Sequence, residues 1–165
     1  MKILFKMAVA PFAVFGIYAA PAAANPIASP GLNAPVNINP GSITVEVIFM
    51  GPQTCSLTMA GTVTSVGTVL VPGVVKFTSG TLSGAGCLTP NFSIVYPIAW
   101  RTISTTLIRI DTLKLATPVG VCLKNNVDLS YDNTLGIATL AKTTMGICTV
   151  SAIFHTSSSQ LVIAP

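Results

Sequence analysis

The sequence offers few side chains for acid–base catalysis. Asp128 and Asp132 are the closest pair of carboxylates along the chain, four residues apart. On a β-strand they would share a face at a separation of about 13 Å. The neighbouring Asn125, Asn126 and Asn133 favour a turn or a solvated loop instead, with a weak Ca²⁺ site as the alternative. We therefore expect neither a catalytic carboxylate pair nor a resident metal.

The single histidine, His155, precedes three serines at residues 157–159, an order that suggests a Ser–His nucleophile. A G-x-S-x-G elbow is absent, however, and consecutive loop serines do not provide the geometry of a triad. The glycine-rich residues 80–86 resemble a phosphate loop but lack its lysine and the helix that follows. A turn before Cys87 is the better interpretation. The sequence thus predicts a protein without catalytic or cofactor-binding residues, with a small secreted hydrolase or ligand carrier as the alternative.

Four cysteines, Cys55, Cys87, Cys122 and Cys148, are the other candidates for chemistry. An even number in an exported protein indicates disulfides, and four cysteines allow three pairings. We favour Cys55–Cys87 and Cys122–Cys148, because each pair brackets a stretch rich in threonine and glycine. A zinc site is not expected, since no C-x-x-C spacing occurs and His155 lies seven residues past Cys148.

The first 24 residues have the order of a secretory signal peptide. Lys2 and Lys6 precede an apolar stretch at residues 7–20, and three alanines at 22–24 form a small-residue cleavage site. An uncleaved membrane anchor is the alternative, which the prolines and glycine of this segment weaken. We predict cleavage after Ala24, a secreted protein at the cell surface or outside the cell, and no transmembrane span in the mature chain.

The composition limits the classes of partner. Charged residues make up 7% of the 165 residues and hydrophobic residues 51%, whereas a typical soluble domain has roughly 25% charged residues. High hydrophobicity excludes an intrinsically disordered chain. Neutralising several phosphates requires clustered lysine and arginine, so nucleic-acid binding is excluded as a main role.

From residue 42 onward, apolar and polar residues alternate with the period of two that is typical of β-strands. Ile43, Val45, Val47 and Phe49 point one way, for example, and the segment ends at a Gly-Pro pair. All 20 threonines lie beyond residue 40. Their β-branched side chains suit a pleated surface, and their hydroxyl groups hydrate the outer face without adding charge. Short strands bounded by turn residues predict a single all-β domain over residues 42–165, an antiparallel β-sandwich or barrel stapled by disulfides.

Residues 25–41 contain four prolines, at positions 26, 30, 35 and 40. Because proline lacks an N–H and fixes φ, we expect this N-terminal arm to be neither a helix nor a central strand. A flexible leader is the simpler interpretation. The alternative is an extended arm that docks on a neighbouring subunit by strand addition.

Three short motifs carry a family resemblance: CSLTMAGTV at residues 55–63, KFTSGTLSG at 76–84 leading to Cys87, and FSIVYPIAW at 92–100. Over roughly residues 41–160 the chain resembles the bacterial alkane-oxidation activator family. The resemblance implies a small exported protein that helps cells use alkanes and belongs to the biofilm matrix, where it can assemble into fibres. It brings no catalytic residues. The family has a tighter Leu-Pro-Trp run where this chain has Tyr96 to Trp100.

Together these features predict a secreted, non-catalytic protein that acts at hydrophobic surfaces, needs no cofactor and assists hydrocarbon use. Tyr96 and Trp100 are the candidate apolar contacts with hydrocarbon or a partner subunit, and a core position is the alternative for Trp100. A fibre subunit that assembles by strand exchange through residues 25–41 is the other function considered.

Overall fold

The computed structural model describes residues 25–87, 92–156 and 161–165, and the predicted signal peptide, residues 1–24, lies outside them. The described residues form eleven strands and one short 3₁₀ helix at Ala85–Cys87. The strands are β1 (Ile27–Ser29), β2 (Pro35–Val47), β3 (Gly51–Ser65), β4 (Val74–Ser83), β5 (Ser93–Ile94), β6 (Ile98–Ser104), β7 (Leu107–Thr117), β8 (Gly120–Asp132), β9 (Ile137–Met145), β10 (Cys148–Thr156) and β11 (Val162–Ile163).

Eight strands close into an antiparallel barrel in the order β7-β6-β4-β3-β2-β10-β9-β8, and β8 pairs again with β7. Strand β5 pairs with the end of β7, and β1 and β11 form a separate two-stranded ribbon. The shortest pairings around the barrel are three residue pairs between β8 and β9 and four each between β4 and β6 and between β6 and β7. The prediction of an all-β antiparallel sandwich or barrel with disulfides is confirmed.

The barrel interior is filled by alternate residues of the long strands, which accounts for the period of two in the sequence. Trp100 lies at its centre with its ring edge-on to Phe77 and Phe154, at centroid distances of 4.9 and 5.4 Å. Strands β3 and β4 approach closely at Gly61, where an added Cβ would lie 2.5 Å from the Lys76 carbonyl oxygen. Only glycine fits at that position.

The N-terminal segment differs from the expectation, because residues 35–41 belong to β2, a central strand between β3 and β10. The prediction that this proline-rich segment could not form a central strand is wrong. Pro35 is the first residue of the strand, and Pro40 lies where the register with β3 shifts between Ile38 and Gly41. Neither position requires a donated ladder hydrogen bond, so both tolerate proline.

The strand directions create two ends of the barrel. At one end, which we call the disulfide end, lie the turns at residues 48–50, 118–119 and 146–147. Cys55–Cys87 ties β3 to the 3₁₀ helix there, and Cys122–Cys148 ties β8 to β10 across the end of β9. This is the pairing favoured from the sequence.

The other end, which we call the loop end, carries the loop at residues 66–73, the turns at 105–106 and 133–136, and the β1–β11 ribbon. The ribbon holds the N-terminal part of the described chain against its C-terminal part, because Ala164 N–H donates to the Pro26 carbonyl oxygen and Asn25 Nδ2 donates to Ala164. The part of the chain that the structure describes contains no helix with the length and apolarity needed to cross a bilayer.

Candidate functional site

The two candidate carboxylates have structural partners. Asp128 lies inside β8 and accepts two hydrogen bonds from the guanidinium of Arg109, its cross-strand neighbour on β7, at 2.6 and 3.0 Å. This bonding lowers the pKa of Asp128. Asp132 accepts the N–H groups of Thr134 and Leu135, both at 2.9 Å, and so caps the turn after β8.

The turn or loop expected around Asp128 is therefore wrong for that residue, although Asp132 does reach a turn. Asn125 and Asn126 lie within β8, where Asn126 has a φ of 53°, a backbone conformation that asparagine adopts more readily than most residues. The described residues contain no cluster of three or more His, Cys, Asp or Glu side chains that could hold a metal ion.

His155 lies half-buried on β10 opposite Ile137 of β9. The serines at 157–159 that follow it lie outside the described residues. In the glycine-rich segment, Gly80 belongs to β4 and the residues before Cys87 form a bend and a 3₁₀ turn, in line with a turn rather than a phosphate loop.

Trp100 and Tyr96, the candidate apolar contacts, occupy different environments. Trp100 is 1% exposed and belongs to the aromatic centre of the core, so its ring is not presented at the barrel surface. Tyr96 is half-buried, and its hydroxyl lies over Gly80, where any added Cβ would overlap it. Among the described residues neither the Tyr96 hydroxyl nor Trp100 Nε1 has a hydrogen-bond partner. Burial raises the pKa of Tyr96 to about 12.

The apolar surface of the barrel is instead concentrated at the disulfide end. Its three turns and the start of β8 expose six large hydrophobic side chains, which we call the apolar tip cluster: Ile48, Phe49, Val119, Val121, Leu123 and Ile147. Exposed apolar residues scattered singly are ordinary, whereas a contiguous group indicates an interaction surface.

These turns touch one another. Ile48, Phe49 and Ile147 line one surface depression of about 390 Å³. A Cβ at Gly120, beside Val119 and Val121, would lie 3.1 Å from Ile147 Cδ1. The three turns therefore lie side by side, and all six exposed side chains belong to this one end of the barrel.

Phe49 is the most prominent member of the cluster. Its side chain is fully exposed, and its backbone has a φ of 74°. The Met50 N–H closes the turn by donating to the Val47 carbonyl oxygen at 3.0 Å. Positive φ at this turn position favours glycine or asparagine, because a Cβ clashes with the following carbonyl. A bulky aromatic residue here is a backbone outlier of the kind that accompanies functional sites.

Charge is balanced at the depression that Ile48, Phe49 and Ile147 line. The two charged residues that line the depression, Glu46 and Lys142, bind each other through a 2.8 Å contact between Lys142 Nζ and Glu46 Oε2. None of the three turns contains a charged residue. Ile48, Phe49 and Ile147 can therefore leave water without an unpaired charge of this depression being carried along.

The Cys122–Cys148 disulfide lies next to several members of the tip cluster in the sequence. Val121 and Leu123 flank Cys122, and Ile147 precedes Cys148, so three of the six members are sequence neighbours of one disulfide bond. The bond restricts their backbone and limits the conformational entropy that a contact would remove.

The sequence pattern did not predict this cluster, because the period of two assigns Phe49 to a strand face with Ile43, Val45 and Val47. In the structure β2 ends at Val47, and Phe49 lies in the turn. A usable signal was present: residues 48–50 are three consecutive apolar residues directly before Gly51-Pro52, in a turn where polar residues and glycine usually occur.

Comparison with known proteins agrees with the resemblance seen in the sequence. No curated protein and no solved structure matches the chain. The family model of the "Alkane oxidation protein activator PraA/PraB-like" proteins matches residues 1–165, the whole chain. The chain therefore belongs to the PraA/PraB-like family of alkane oxidation protein activators.

Proposed function

We propose that this protein is a secreted, non-catalytic factor that assists alkane use by adsorbing to hydrocarbon surfaces through the apolar tip cluster. The observation that carries the proposal is Phe49: a family member associated with alkane oxidation places a fully exposed aromatic ring, in an unfavourable backbone conformation, at the tip of an uncharged apolar surface.

The energy scale supports adsorption by this end of the barrel. If the six side chains bring about 300 Å² of apolar area to an interface, burial contributes about 7.5 kcal/mol at 25 cal/mol per Å² before the cost of association. Because the turns are held by strands and a disulfide, little ordering is needed on contact.

The absence of catalysis is inferred from how the ionisable groups are used. Three of the four carboxylates form ion pairs, and Asp132 caps a turn. The family description as an activator favours the same interpretation. If His155→Ala abolished a hydrolase activity of the purified protein, this part of the proposal would fail.

Secretion is supported by two disulfides, which form and persist in oxidising compartments, and by the signal-peptide order of residues 1–24. Membership in the extracellular biofilm matrix is what the family resemblance implies. An exposed apolar cluster suits that role, because it would retain the secreted protein at droplet and cell surfaces.

Fibre assembly by strand exchange through residues 25–41 finds less support. Strand β1 pairs with β11 of the same chain, and residues 35–41 are an integral part of β2. Exchange would have to remove both from their own barrel.

The proposal is tested by pendant-drop tensiometry at a hexadecane–water interface with the purified, disulfide-bonded protein. We expect the wild type to lower the interfacial tension and Ile48→Ser/Ile147→Ser to do so far less. Ile153→Ser is the matched control, because Ile153 is 42% exposed on β10, outside the tip cluster. A wild type that leaves the tension unchanged, or a tip variant as active as the control, contradicts the proposal.

A further inference from the structure

A second group of exposed apolar side chains lies at the loop end of the barrel. The β3–β4 loop exposes Val66, Val69, Leu70 and Val71, with Leu70 74% exposed, and Leu32 is exposed in the adjacent N-terminal turn. We call these five residues the apolar loop cluster. No charged residue occurs between positions 61 and 75 or between 25 and 45, so the two segments that carry this cluster are uncharged.

The loop that carries this cluster is ordered by its own hydrogen bonds. Thr68 and Val71 exchange backbone hydrogen bonds at 2.7 and 3.2 Å, and Thr68 Oγ1 accepts the N–H groups of Leu70 and Val71. Val69 and Leu70 are thereby held at the tip of a tight turn, where polar residues or glycine usually occur.

The base of the loop is anchored as well. The Ile27 N–H donates to the Val66 carbonyl oxygen at 2.7 Å, and the Gly73 N–H donates to Thr102 Oγ1 at 2.8 Å. In the adjacent turn, the Asn33 N–H donates to the Val63 carbonyl oxygen at 2.8 Å, which brings Leu32 beside the loop. Hydrogen bonds therefore hold the backbone of the loop in place at both its base and its tip, and they fix the positions of the exposed side chains.

Strand β3 separates the two clusters. It begins at Gly51, directly after the turn that carries Phe49, and ends at Ser65, directly before Val66. Fifteen residues at about 3.3 Å each, tilted as in barrels, place the two ends roughly 35–40 Å apart. The clusters face in opposite directions, so one flat surface cannot contact both.

We propose that the apolar loop cluster is a second hydrocarbon-binding surface, so that one molecule bridges two hydrocarbon droplets. This inference rests on the proposed function of the tip cluster and extends it from adsorption to cross-linking. The two contacts are independent, since each has its own turns and its own supporting bonds.

A liquid surface suits the loop cluster better than a second copy of the chain does. Head-to-tail contact between copies would press one protruding turn against another, at Leu70 and Phe49, and protein interfaces need complementary shapes. A liquid conforms to a protruding turn, and the aliphatic side chains of valine and leucine match the chemistry of an alkane.

The test is flocculation of a hexadecane emulsion by the purified full-length mature protein, together with protein depletion from the aqueous phase. We expect the wild type to adsorb and to flocculate droplets. Flocculation should be lost at saturating protein, because every droplet is then coated and no bare surface remains to bridge. A protein that only coats droplets shows no such maximum.

Val69→Ser/Leu70→Ser leaves the tip cluster intact, so we expect this variant to adsorb like the wild type and to lose flocculation. Ile48→Ser/Phe49→Ser leaves only the loop cluster intact, so we expect it to adsorb more weakly and also to lose flocculation. Ile153→Ser should flocculate like the wild type. Circular dichroism and thermal unfolding confirm that each variant is folded; these positions are exposed, so changes in stability should be small.

The possible outcomes separate the two proposals. A loop-cluster variant that flocculates like the wild type overturns the second contact and leaves the tip contact standing. A wild type that fails to adsorb overturns both. If light scattering without oil shows wild-type oligomers that Val69→Ser/Leu70→Ser dissolves, a second copy covers the loop cluster and the bridging proposal is wrong.

Discussion

Replacing Phe49 with asparagine should change stability and adsorption in opposite directions. The φ of 74° costs an ordinary residue about 1–2 kcal/mol, whereas asparagine adopts this region readily. We therefore expect Phe49→Asn to raise the free energy of unfolding by about 1 kcal/mol. Most substitutions destabilise, so an increase at this site would support the backbone argument directly.

The loss of adsorption follows from the exposed area. A phenylalanine side chain offers about 200 Å², and at Phe49 all of it is accessible. If half of that area enters the hydrocarbon, burial contributes about 2.5 kcal/mol, which corresponds to roughly a 60-fold decrease in the partition coefficient on substitution.

The two effects are measured separately, by urea unfolding and by depletion of protein from water by hexadecane droplets. Phe49→Leu is the control, because it keeps an apolar side chain and the unfavourable φ; it should show little gain in stability and a small loss of adsorption. Adsorption of Phe49→Asn at the wild-type level would refute Phe49 as a contact, and a lower unfolding free energy would refute the backbone argument.

Other substitutions test the fold and its supports. Gly61→Ala should lower the free energy of unfolding by about 2 kcal/mol, because the added Cβ meets the backbone of β4. Gly31→Ala should not destabilise the protein, because no atom lies within 4 Å of the added Cβ. Thermal unfolding distinguishes the two variants. Tyr96→Phe removes a buried hydroxyl without a partner among the described residues, so it should stabilise by about 1 kcal/mol at neutral pH. The pKa of Tyr96 is raised to about 12, so the wild type loses stability as the pH rises from about 10 through 12. Unfolding at alkaline pH should therefore show a growing difference in unfolding free energy between Tyr96→Phe and the wild type. Replacing Cys122 and Cys148 with serine should cost about 3.5 kcal/mol in urea unfolding, given their separation of 26 residues; no loss would show that this bond does not restrain the unfolded chain.

Local sequence patterns predicted most of the strands because their physical cause is local. Side chains alternate between core and solvent along a strand, so β3 shows its buried face directly as Cys55, Leu57 and Met59 separated by polar residues. The disulfide pairing was also accessible, since each pair encloses compact hairpin structure.

The features that escaped prediction depend on distant parts of the chain. Pro35 and Pro40 look unsuitable for a central strand until the register with β3 places one at the start of β2 and the other at a shift. The pairing of β2 with β10 joins segments about a hundred residues apart, and no local pattern specifies it.

Phe49 shows most clearly what the periodicity of a sequence cannot predict. Its spacing from Val45 and Val47 fits a strand face, but β2 ends before it and the ring lies in water. Periodicity cannot tell a residue that continues a buried face from one that extends past the end of the barrel. The same limit applies to the apolar tip cluster, whose members come from three turns and the start of β8, which only the closed barrel brings together.

The wall of the barrel explains how two apolar ends can act as separate contacts. On the outer face of β2, β3 and β4, Thr44 and Thr54 bond at 2.9 Å and Thr58 and Thr81 at 2.8 Å, so hydroxyls cover this part of the wall between the two ends. Removing hydroxyl groups from water costs free energy, so this surface stays hydrated although it carries no net charge. A wall of leucine or valine would let the barrel lie flat on oil and join both clusters into one contact. A hydrated wall favours end-on adsorption, in which the opposite cluster remains free.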